Sequence, residues 1–158
     1  MKINPAIPKL SFKYGVAGGI LAMVAFLVFH FVGLPPGSLI SMIGTLIDVG
    51  MFTFLPMKDF KSNVNNGEFR FYHVMTIAFI SYLTIAAIYG VLYWVFIELI
   101  EPDYLSDKIS LIRESLIEQK EQMIDDFGLE EYERQLNGLD GISVSSEIIS
   151  EFAKRLFF

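Results

Sequence analysis

Cysteine is absent from this sequence and charged residues are scarce, and both features restrict what the chain can be. Without cysteine, disulfide bonds, thiolate metal sites and cysteine nucleophiles are excluded. Charged residues make up 19% of the chain, against roughly 25% in a typical soluble domain. No Lys, Arg, Asp or Glu occurs from Tyr14 to Ile47 or from Phe71 to Ile97, and uncharged apolar runs of about 18 residues or more are typical of transmembrane helices. The composition therefore predicts an all-α membrane protein.

Sequence motifs for catalysis are missing as well. The chain has no G-x-S-x-G, no H-E-x-x-H and no glycine-rich phosphate loop. Its two histidines lie near opposite ends of separate apolar runs, His30 being roughly 24 Å along the first, so they cannot share a metal ion within one subunit. The acidic residues between 125 and 133 lack the glycine and the spacing of a calcium loop. We therefore predict no catalytic residue, no cofactor and no metal site.

Three membrane spans are predicted, at about 14–33, 39–57 and 71–100. The first is roughly 30 Å long as a helix, which matches the thickness of the hydrocarbon core. The segment LPPGS separates it from the second span, since consecutive prolines cannot continue a helix. A polar loop with an Asn-Asn-Gly turn precedes the third span, which at roughly 45 Å must tilt or project beyond the bilayer.

The basic residues predict the orientation of these spans. Lys and Arg number three in the amino-terminal arm and three in the loop from Lys58 to Arg70, none in LPPGS, and two in the fifteen residues after Ile100. By the positive-inside rule, the amino terminus and the Lys58–Arg70 loop lie in the cytoplasm, and residues after about 101 lie on the far side. Tyr89, Tyr93 and Trp94 then form an aromatic belt at the outer interface.

Residues 101–158 differ from the rest of the chain in charge. Residues 1–100 carry six Lys/Arg and four Asp/Glu, a net charge of +2, whereas residues 101–158 carry six and fourteen, a net charge of −8. Such an acidic segment excludes nucleic-acid binding. The charge therefore divides the chain into a membrane bundle (1–100), an acidic helical segment outside the membrane (101–150) and a tail (151–158).

The acidic segment contains an apolar stripe, which predicts an amphipathic helix that ends at Gly128. Its members are Leu105, Ile109, Ile112, Leu116, Met123 and Phe127, and Gln119 interrupts it. The stripe packs on a shorter helix at about 130–136, on the lipid surface, or on another protein. A Gly138–Gly141 turn follows, and a last helix starts in Ser143–Ser146. It leads into residues 151–158, which are the start of a further span or an interfacial helix.

Asp48 is an acidic residue inside the second span. It lies roughly 14 Å below the outer boundary, close to the bilayer midplane, where an ionised carboxylate costs about 2.5–3.5 kcal/mol. Ser41 and Thr45 share its helix face, because the three residues are spaced by four and three. Asp48 is either protonated and hydrogen-bonded to a neighbouring helix or part of a proton- or ion-coupling site. The candidate partners on the third span are Thr76, Ser81 and Thr84.

Small residues line one face of the first span. Gly15, Gly18, Gly19 and Ala22 lie on this face, and Gly15-x-x-x-Gly19 is a motif that lets two membrane helices approach closely. We predict a helix-packing face, used either within the bundle or in dimerisation.

Three stretches of the sequence resemble one family of small bacterial membrane proteins. They are FKYGVAGGILA in the first span, NGEFRFYHVMTIAF leading into the third, and YWVFIELIEPDYL leaving it. On these stretches the sequence resembles the domain of unknown function 4199 family, which is common in Bacteroidota. The resemblance covers nearly the whole chain and implies four spans, with a fourth helix after Phe158, but no established activity. Genes of such proteins often neighbour a membrane glycosyltransferase of the polyprenyl-phosphate type, which hints at a partner.

Together these observations predict a non-catalytic subunit or scaffold of a membrane complex in the bacterial inner membrane, with residues after about 101 in the periplasm. Its partners are the lipid bilayer and other membrane subunits or copies of itself, and the resemblance adds a polyprenyl-phosphate glycosyltransferase. The alternative is a small proton- or ion-conducting oligomer that uses Asp48, Ser41 and Thr45.

Overall fold

The regular elements of the chain are helical throughout the part that the computed structural model describes, residues 4–34, 38–68 and 70–157, with only the backbone described for 154–157. The helices are α1 (Ala6–Phe31), α2 (Leu39–Asp59), α3 (Phe71–Val95), α4 (Tyr104–Glu118), α5 (Lys120–Phe127), α6 (Leu129–Gly138) and α7 (Val144–Phe157). Short π-helical turns at Phe60–Val64 and Phe96–Ile100 extend α2 and α3, and a 3-10 turn at Leu139–Gly141 precedes α7. The predicted all-α fold is confirmed.

Three of these helices are long and apolar enough to cross a membrane. They are Ala6–Phe31, Leu39–Val64 and Phe71–Ile100, with mean hydropathies of 1.9, 1.7 and 2.0. The last has 30 residues, or roughly 45 Å at 1.5 Å per residue. By length and composition, the prediction of three membrane-spanning helices is confirmed.

The first helix starts earlier than the sequence predicted. α1 begins at Ala6 rather than near Tyr14, because the Asn4 side chain accepts a hydrogen bond from the backbone N–H of Ala6 at 3.0 Å and proline is tolerated in the first turn of a helix. Lys9 and Lys13 therefore lie on the helix. A charged residue marks the end of an apolar run, but a helix can continue past it into water.

Residues in the left-handed region mark two of the connections between helices. Gly33, two residues after the end of α1, has a φ of +76°, a backbone conformation that favours glycine. Residues 35–37, on which most of the predicted LPPGS break falls, lie outside the described residues. Before α3, Asn66 and Gly67 have φ values of 48° and 84°, so the Asn-Asn-Gly segment forms a turn as predicted.

The chain forms two compact units, the first of which comprises Met1–Leu92 and Phe152–Phe158. One hydrophobic core cluster of this unit joins all three long helices. Ile7 of α1, Phe60 after α2 and Ile77 of α3 are each 0% exposed and pack together, with Leu10, Met57 and Ile80 around them. α1 also packs along α2, which positions the candidate polar site described below.

The second unit comprises Tyr93–Glu151. The amphipathic helix predicted as one element is two, because α4 ends at Glu118 and α5 starts at Lys120, on either side of Gln119. Gln119 is the residue that interrupts the apolar stripe, so the chain has no apolar side chain to bury at the position where α4 ends and α5 starts. α5 ends at Phe127, just before Gly128, as predicted. The buried apolar residues of α4, α6 and the 3-10 turn are Tyr104, Leu105, Tyr132 and Leu139.

Residues 151–157 of the predicted tail form the end of α7, and Phe158 lies outside the described residues. Ser143 caps this helix: its hydroxyl accepts from the N–H of Ser146 at 3.2 Å, and its N–H donates to the Ser146 hydroxyl at 2.8 Å. In this reciprocal arrangement each serine hydroxyl accepts a hydrogen bond from the backbone N–H of the other serine. The side chains from 154 onwards, on which the prediction of a further span or an interfacial helix depends, lie outside the described residues.

Candidate functional site

The burial pattern of α2 is inverted relative to a helix in water. The helix begins after Ser38, whose hydroxyl accepts from the N–H of Ser41 at 3.3 Å. Its buried residues are Asp48 and Pro56, and Asp48 is only 7% exposed. The neighbouring Leu46 and Ile47 are 67% and 62% exposed. A helix that turns its carboxylate inwards and its leucines outwards is typical of a hydrocarbon environment.

A cavity of about 40 Å³ lies between α1 and α2 at the position of Asp48. α2 lines it with Ser41, Thr45 and Asp48, the three residues of the predicted polar site, together with Gly44. The residues of α1 that line it are Ala22, Ala25, Phe26 and Phe29. The small side chains of Gly44, Ala22 and Ala25 leave this space between the helices. It exceeds the roughly 10–15 Å³ that one water molecule requires.

The threonines that the sequence offered as partners for Asp48 make bonds within their own helix. The hydroxyl of Thr76 donates to the carbonyl of Tyr72 at 2.8 Å, and that of Thr84 donates to the carbonyl of Ile80 at 2.7 Å. Both hydroxyl hydrogens are thus used within α3. The polar side chains that share the cavity with Asp48 come from α2 itself.

The glycine face of α1 is covered by helices of the same chain. A Cβ atom added to Gly15 would lie 2.6 Å from Cβ of Thr84, and one added to Gly19 would lie 2.6 Å from Cβ of Ile88. A Cβ atom on Gly18 would meet Cβ of Phe52 in α2 at 2.8 Å. Ala22, the fourth member of the face, is 5% exposed and lines the cavity. These contacts place the face inside the bundle, where larger residues would not fit.

The two histidines pack against aromatic rings. His30 stacks on Phe26 with ring centroids 6.1 Å apart, and His73, 5% exposed, lies with its ring centroid 5.0 Å from that of Phe60. The backbone N–H of Arg70 donates to Nδ1 of His73 at 3.4 Å. Within the part of the chain that the structure describes, no group of three His, Cys, Asp or Glu side chains could hold a metal ion.

Sequence reasoning missed a buried polar cluster in the second unit. Nζ of Lys108 lies 2.5 Å from Oε1 of Glu147 and 3.7 Å from Oε1 of Glu151, and the three side chains are only 12%, 8% and 18% exposed. The hydroxyl of Tyr93 donates to Oε1 of Glu147 at 3.4 Å. The ring of Tyr104 packs edge-on against that of Tyr93, with centroids 6.3 Å apart. The cluster ties the start of α4 to α7 and to the end of α3.

Burial raises the pKa of Tyr104 to about 12. The carboxylates of Glu151, Glu147 and Glu101 raise its pKa further, because they repel a phenolate, while a hydrogen bond with Tyr93 acts in the opposite direction. Spacings of four residues, Tyr104 with Lys108 and Glu147 with Glu151, could have indicated one face on each helix. Nothing in the sequence indicated that the face of α4 and the face of α7 contact each other.

The class of protein that this fold and site define is a helical bundle with three helices able to span a membrane and an inward-facing carboxylate. Residues 13–158 match the model of a family described as protein of unknown function (DUF4199). The chain belongs to this family, which confirms the resemblance identified from its sequence. No curated protein and no solved structure matches the chain.

Proposed function

We propose that this chain is a non-catalytic integral membrane protein that acts as a subunit or scaffold, packing through the outward surface of α2 on another membrane protein or on a second copy of itself. The supporting observation is the low burial of α2. Over the most apolar 18-residue stretch of each helix, 11% of the residues are buried in α2, against 28% in α1 and 39% in α3. Much of its apolar surface is therefore available to lipid or to another helix.

The outward surface of α2 includes a row that we name the outer α2 face: Ile43, Ile47, Gly50 and Phe54. These residues are spaced by four, three and four, so they lie on one side of the helix. The three large side chains are 55%, 62% and 63% exposed. A Cβ atom added to Gly50 would have nothing within 4 Å. An exposed glycine between large apolar residues permits close approach of a second helix, since association in lipid depends on van der Waals packing.

The test is purification from native membranes in a mild detergent. We expect a stoichiometric partner or a defined oligomer for the wild type, and its loss in Gly50→Leu, because the larger side chain blocks close approach. The matched control is Ala87→Leu, which enlarges a small exposed residue of α3 instead. A wild-type chain that is a lone monomer contradicts the proposal. The polyprenyl-phosphate glycosyltransferase suggested by the resemblance is the first partner to look for.

The proposed location is the bacterial inner membrane, with the amino terminus and the Lys58–Arg70 loop in the cytoplasm and residues after about 101 in the periplasm. The Lys/Arg distribution supports it. The cysteine-free chain allows single cysteines at two exposed positions, Ser62→Cys and Glu121→Cys, to be tested with a membrane-impermeant maleimide. We expect Cys labelling in intact spheroplasts at 121 and only after lysis at 62. The reverse pattern contradicts the orientation.

A second candidate function is a small proton- or ion-conducting oligomer. The observation in its favour is that Ser41, Thr45 and Asp48 line one cavity between α1 and α2. Its test is a flux assay in liposomes that contain the purified chain. Flux above that of empty vesicles, lost in Asp48→Asn, would support conduction, and a flux equal to that of empty vesicles would remove it.

A further inference from the structure

We infer that the turn between α5 and α6 is a docking site for a partner protein that presents basic and apolar side chains side by side. We name this surface the acidic tip and define it as residues 125–130 together with Glu133. The acidic tip belongs to the second unit and shares no residue with the outer α2 face. The inference therefore goes beyond the proposed role as a membrane subunit.

The acidic tip exposes two large apolar side chains, one on either side of a glycine. Phe127, the last residue of α5, is 68% exposed, and Leu129, the first residue of α6, is 53% exposed. Between them Gly128 has a φ of +89°, and a Cβ atom added to it would have nothing within 4 Å. Within the described residues, the rest of the chain therefore leaves the turn uncovered at this position. An apolar centre with a polar rim is the usual anatomy of a protein–protein interface.

The polar rim of the acidic tip carries charge of one sign. Its exposed acids are Asp125, Asp126, Glu130 and Glu133. Glu133 lies one turn from Leu129 on the same face of α6. Among the residues that the structure describes, no Lys, Arg or His pairs with any of these four acids. Their charge is therefore available to a partner.

The bases of α5 and α6 make other contacts. Nζ of Lys120 lies over the ring of Tyr132, 5.7 Å from its centroid. Arg134 forms an ion pair with Glu131, an acid outside the acidic tip. Neither base neutralises the rim, so a compensating cation has to come from another molecule.

The end of α5 concentrates the negative charge. Asp125 and Asp126 lie in its last turn, which contains no basic residue. The C-terminus of a helix carries partial negative charge on its carbonyl groups, so acids are unfavourable there and cations are favourable. These two acids therefore do not stabilise α5, whereas a cation supplied by a partner would.

Charge complementarity selects the occupant of this surface. A second copy of the chain would bring the same four acids, and like charges across an interface repel. A surface of anionic lipid repels the acidic tip for the same reason. A protein segment with Lys or Arg next to an apolar side chain satisfies both the rim and the apolar centre. Phe127 would then be buried at the centre of the interface, where aromatic residues are enriched.

The experiment uses the full chain in nanodiscs of zwitterionic lipid, with empty nanodiscs as the blank. The probe is a fluorescent synthetic peptide whose lysines and leucines form the two faces of one helix, and its binding is measured by fluorescence anisotropy. We expect saturable binding above the blank that weakens with salt, because salt screens exposed charges. Peptides with glutamate in place of lysine, or with serine in place of leucine, should each bind about tenfold more weakly or worse.

The apolar centre is tested by Phe127→Ser, which should weaken binding of the lysine–leucine peptide by about tenfold or more. The matched control is Ile149→Ser, which makes a similar change at a side chain of α7 that is 67% exposed and should leave binding unchanged. Because Phe127 is exposed, the unfolding midpoint of Phe127→Ser should equal that of the wild type. Equal losses of binding in the two variants would overturn the inference.

The charged rim is tested by the double variant Asp125→Asn and Asp126→Asn, which should weaken peptide binding and reduce its dependence on salt. The matched control is the double variant Glu114→Gln and Glu118→Gln, which removes the same charge from exposed positions of α4 and should have little effect. Equal losses in the two double variants would mean that the peptide responds to net charge alone, and this would overturn the inference.

Three further outcomes would also overturn it: peptide binding equal to the blank, self-association of the chain that is lost in Phe127→Ser, and recruitment of phosphatidylglycerol vesicles that is lost in the same variant. The last two would assign the surface to a second copy or to lipid. Gly50→Leu should leave peptide binding unchanged, so failure of this inference is distinguishable from failure of the proposed subunit role.

Discussion

α2 in the first unit and α6 in the second have opposite burial patterns. α2 buries Asp48 and exposes Ile47 at 62%, whereas α6 buries Tyr132 at 5% and exposes Glu130 and Arg134. Both helices follow the same rule: the side chains that face the surroundings match the polarity of those surroundings. In water the polar groups lie outside, and in hydrocarbon the polar groups lie inside. The contrast indicates that the two units are built for different surroundings.

The two units also differ in what holds their helices together. In the first unit, glycines allow α1 to approach α2 and α3 so closely that an added Cβ atom would lie within 2.6–2.8 Å of a neighbouring side chain. In the second unit, Lys108 lies between the carboxylates of two glutamates on α7. Close packing is effective in lipid, where the hydrophobic effect between helices is absent. Charge pairing inside the second unit compensates the burial of its polar groups.

Lys108→Met should have the largest effect and should act on the second unit. It removes the ammonium group that lies 2.5 Å from Glu147 and 3.7 Å from Glu151, and the loss of this partner from the nearly buried Glu147 carboxylate costs about 3–5 kcal/mol. The measurement is the free energy of unfolding of the purified chain in detergent. The control is Asp140→Asn, which breaks a pair with Arg113 that is 39% and 69% exposed and should cost at most about 1 kcal/mol. Equal losses in the two variants would contradict the contrast between the units.

Gly19→Leu should have the next largest effect and should act on the first unit. A Cβ atom at this position would lie 2.6 Å from Cβ of Ile88 and 3.0 Å from the backbone oxygen of Ile85, so α1 and α3 must separate. Overpacking of this kind costs about 1–3 kcal/mol or more. The control is Gly50→Leu, in which nothing lies within 4 Å of the new Cβ atom. We expect the unfolding midpoint of the isolated chain to stay unchanged in this variant. A loss in both variants would contradict the internal role of the glycine face.

The sequence predicted those features that depend on residues close together in the chain. Length and apolar runs indicated the three spans, and a spacing of four and three residues placed Ser41, Thr45 and Asp48 on one face of α2. The structure adds the facing surface of α1, which the sequence did not identify. The cluster of Lys108 and Glu147 could not be predicted, since its members are 39 residues apart and only the fold brings them together.

The aromatic residues near the end of α3 illustrate the same limit. Tyr89 and Tyr93 were predicted as part of an aromatic belt, but they are 2% and 1% exposed, whereas Trp94 is 46% exposed. Only Trp94 has the exposure that a belt residue needs. Composition indicates the depth at which a residue lies along a span, and it does not indicate whether the residue faces lipid or the interior.

Ser143→Ala should have a smaller effect, again on the second unit. The Ser143 hydroxyl accepts from the N–H of Ser146 at the start of α7, and loss of such a cap costs about 1 kcal/mol. Ser145→Ala, two residues further along the chain and exposed, is the matched control and should change the free energy of unfolding by less than about 0.5 kcal/mol. The prediction fails if the two alanine variants have the same stability.

The pH dependence due to Tyr104 should be the smallest effect at neutral pH, where its phenol is protonated in both the folded and the unfolded chain. Its pKa is raised from 10.0 to about 12 by burial, so the unfolded state loses this proton first as pH rises. The stabilisation is complete below pH 10 and is lost between pH 10 and 12. Ultraviolet titration of tyrosinate should reveal a late step that is absent in Tyr104→Phe. A Tyr104 that titrates at its ordinary pKa would mean that the α4–α7 cluster is open to water, and the second unit would then lack the buried charge pairing that distinguishes it from the first.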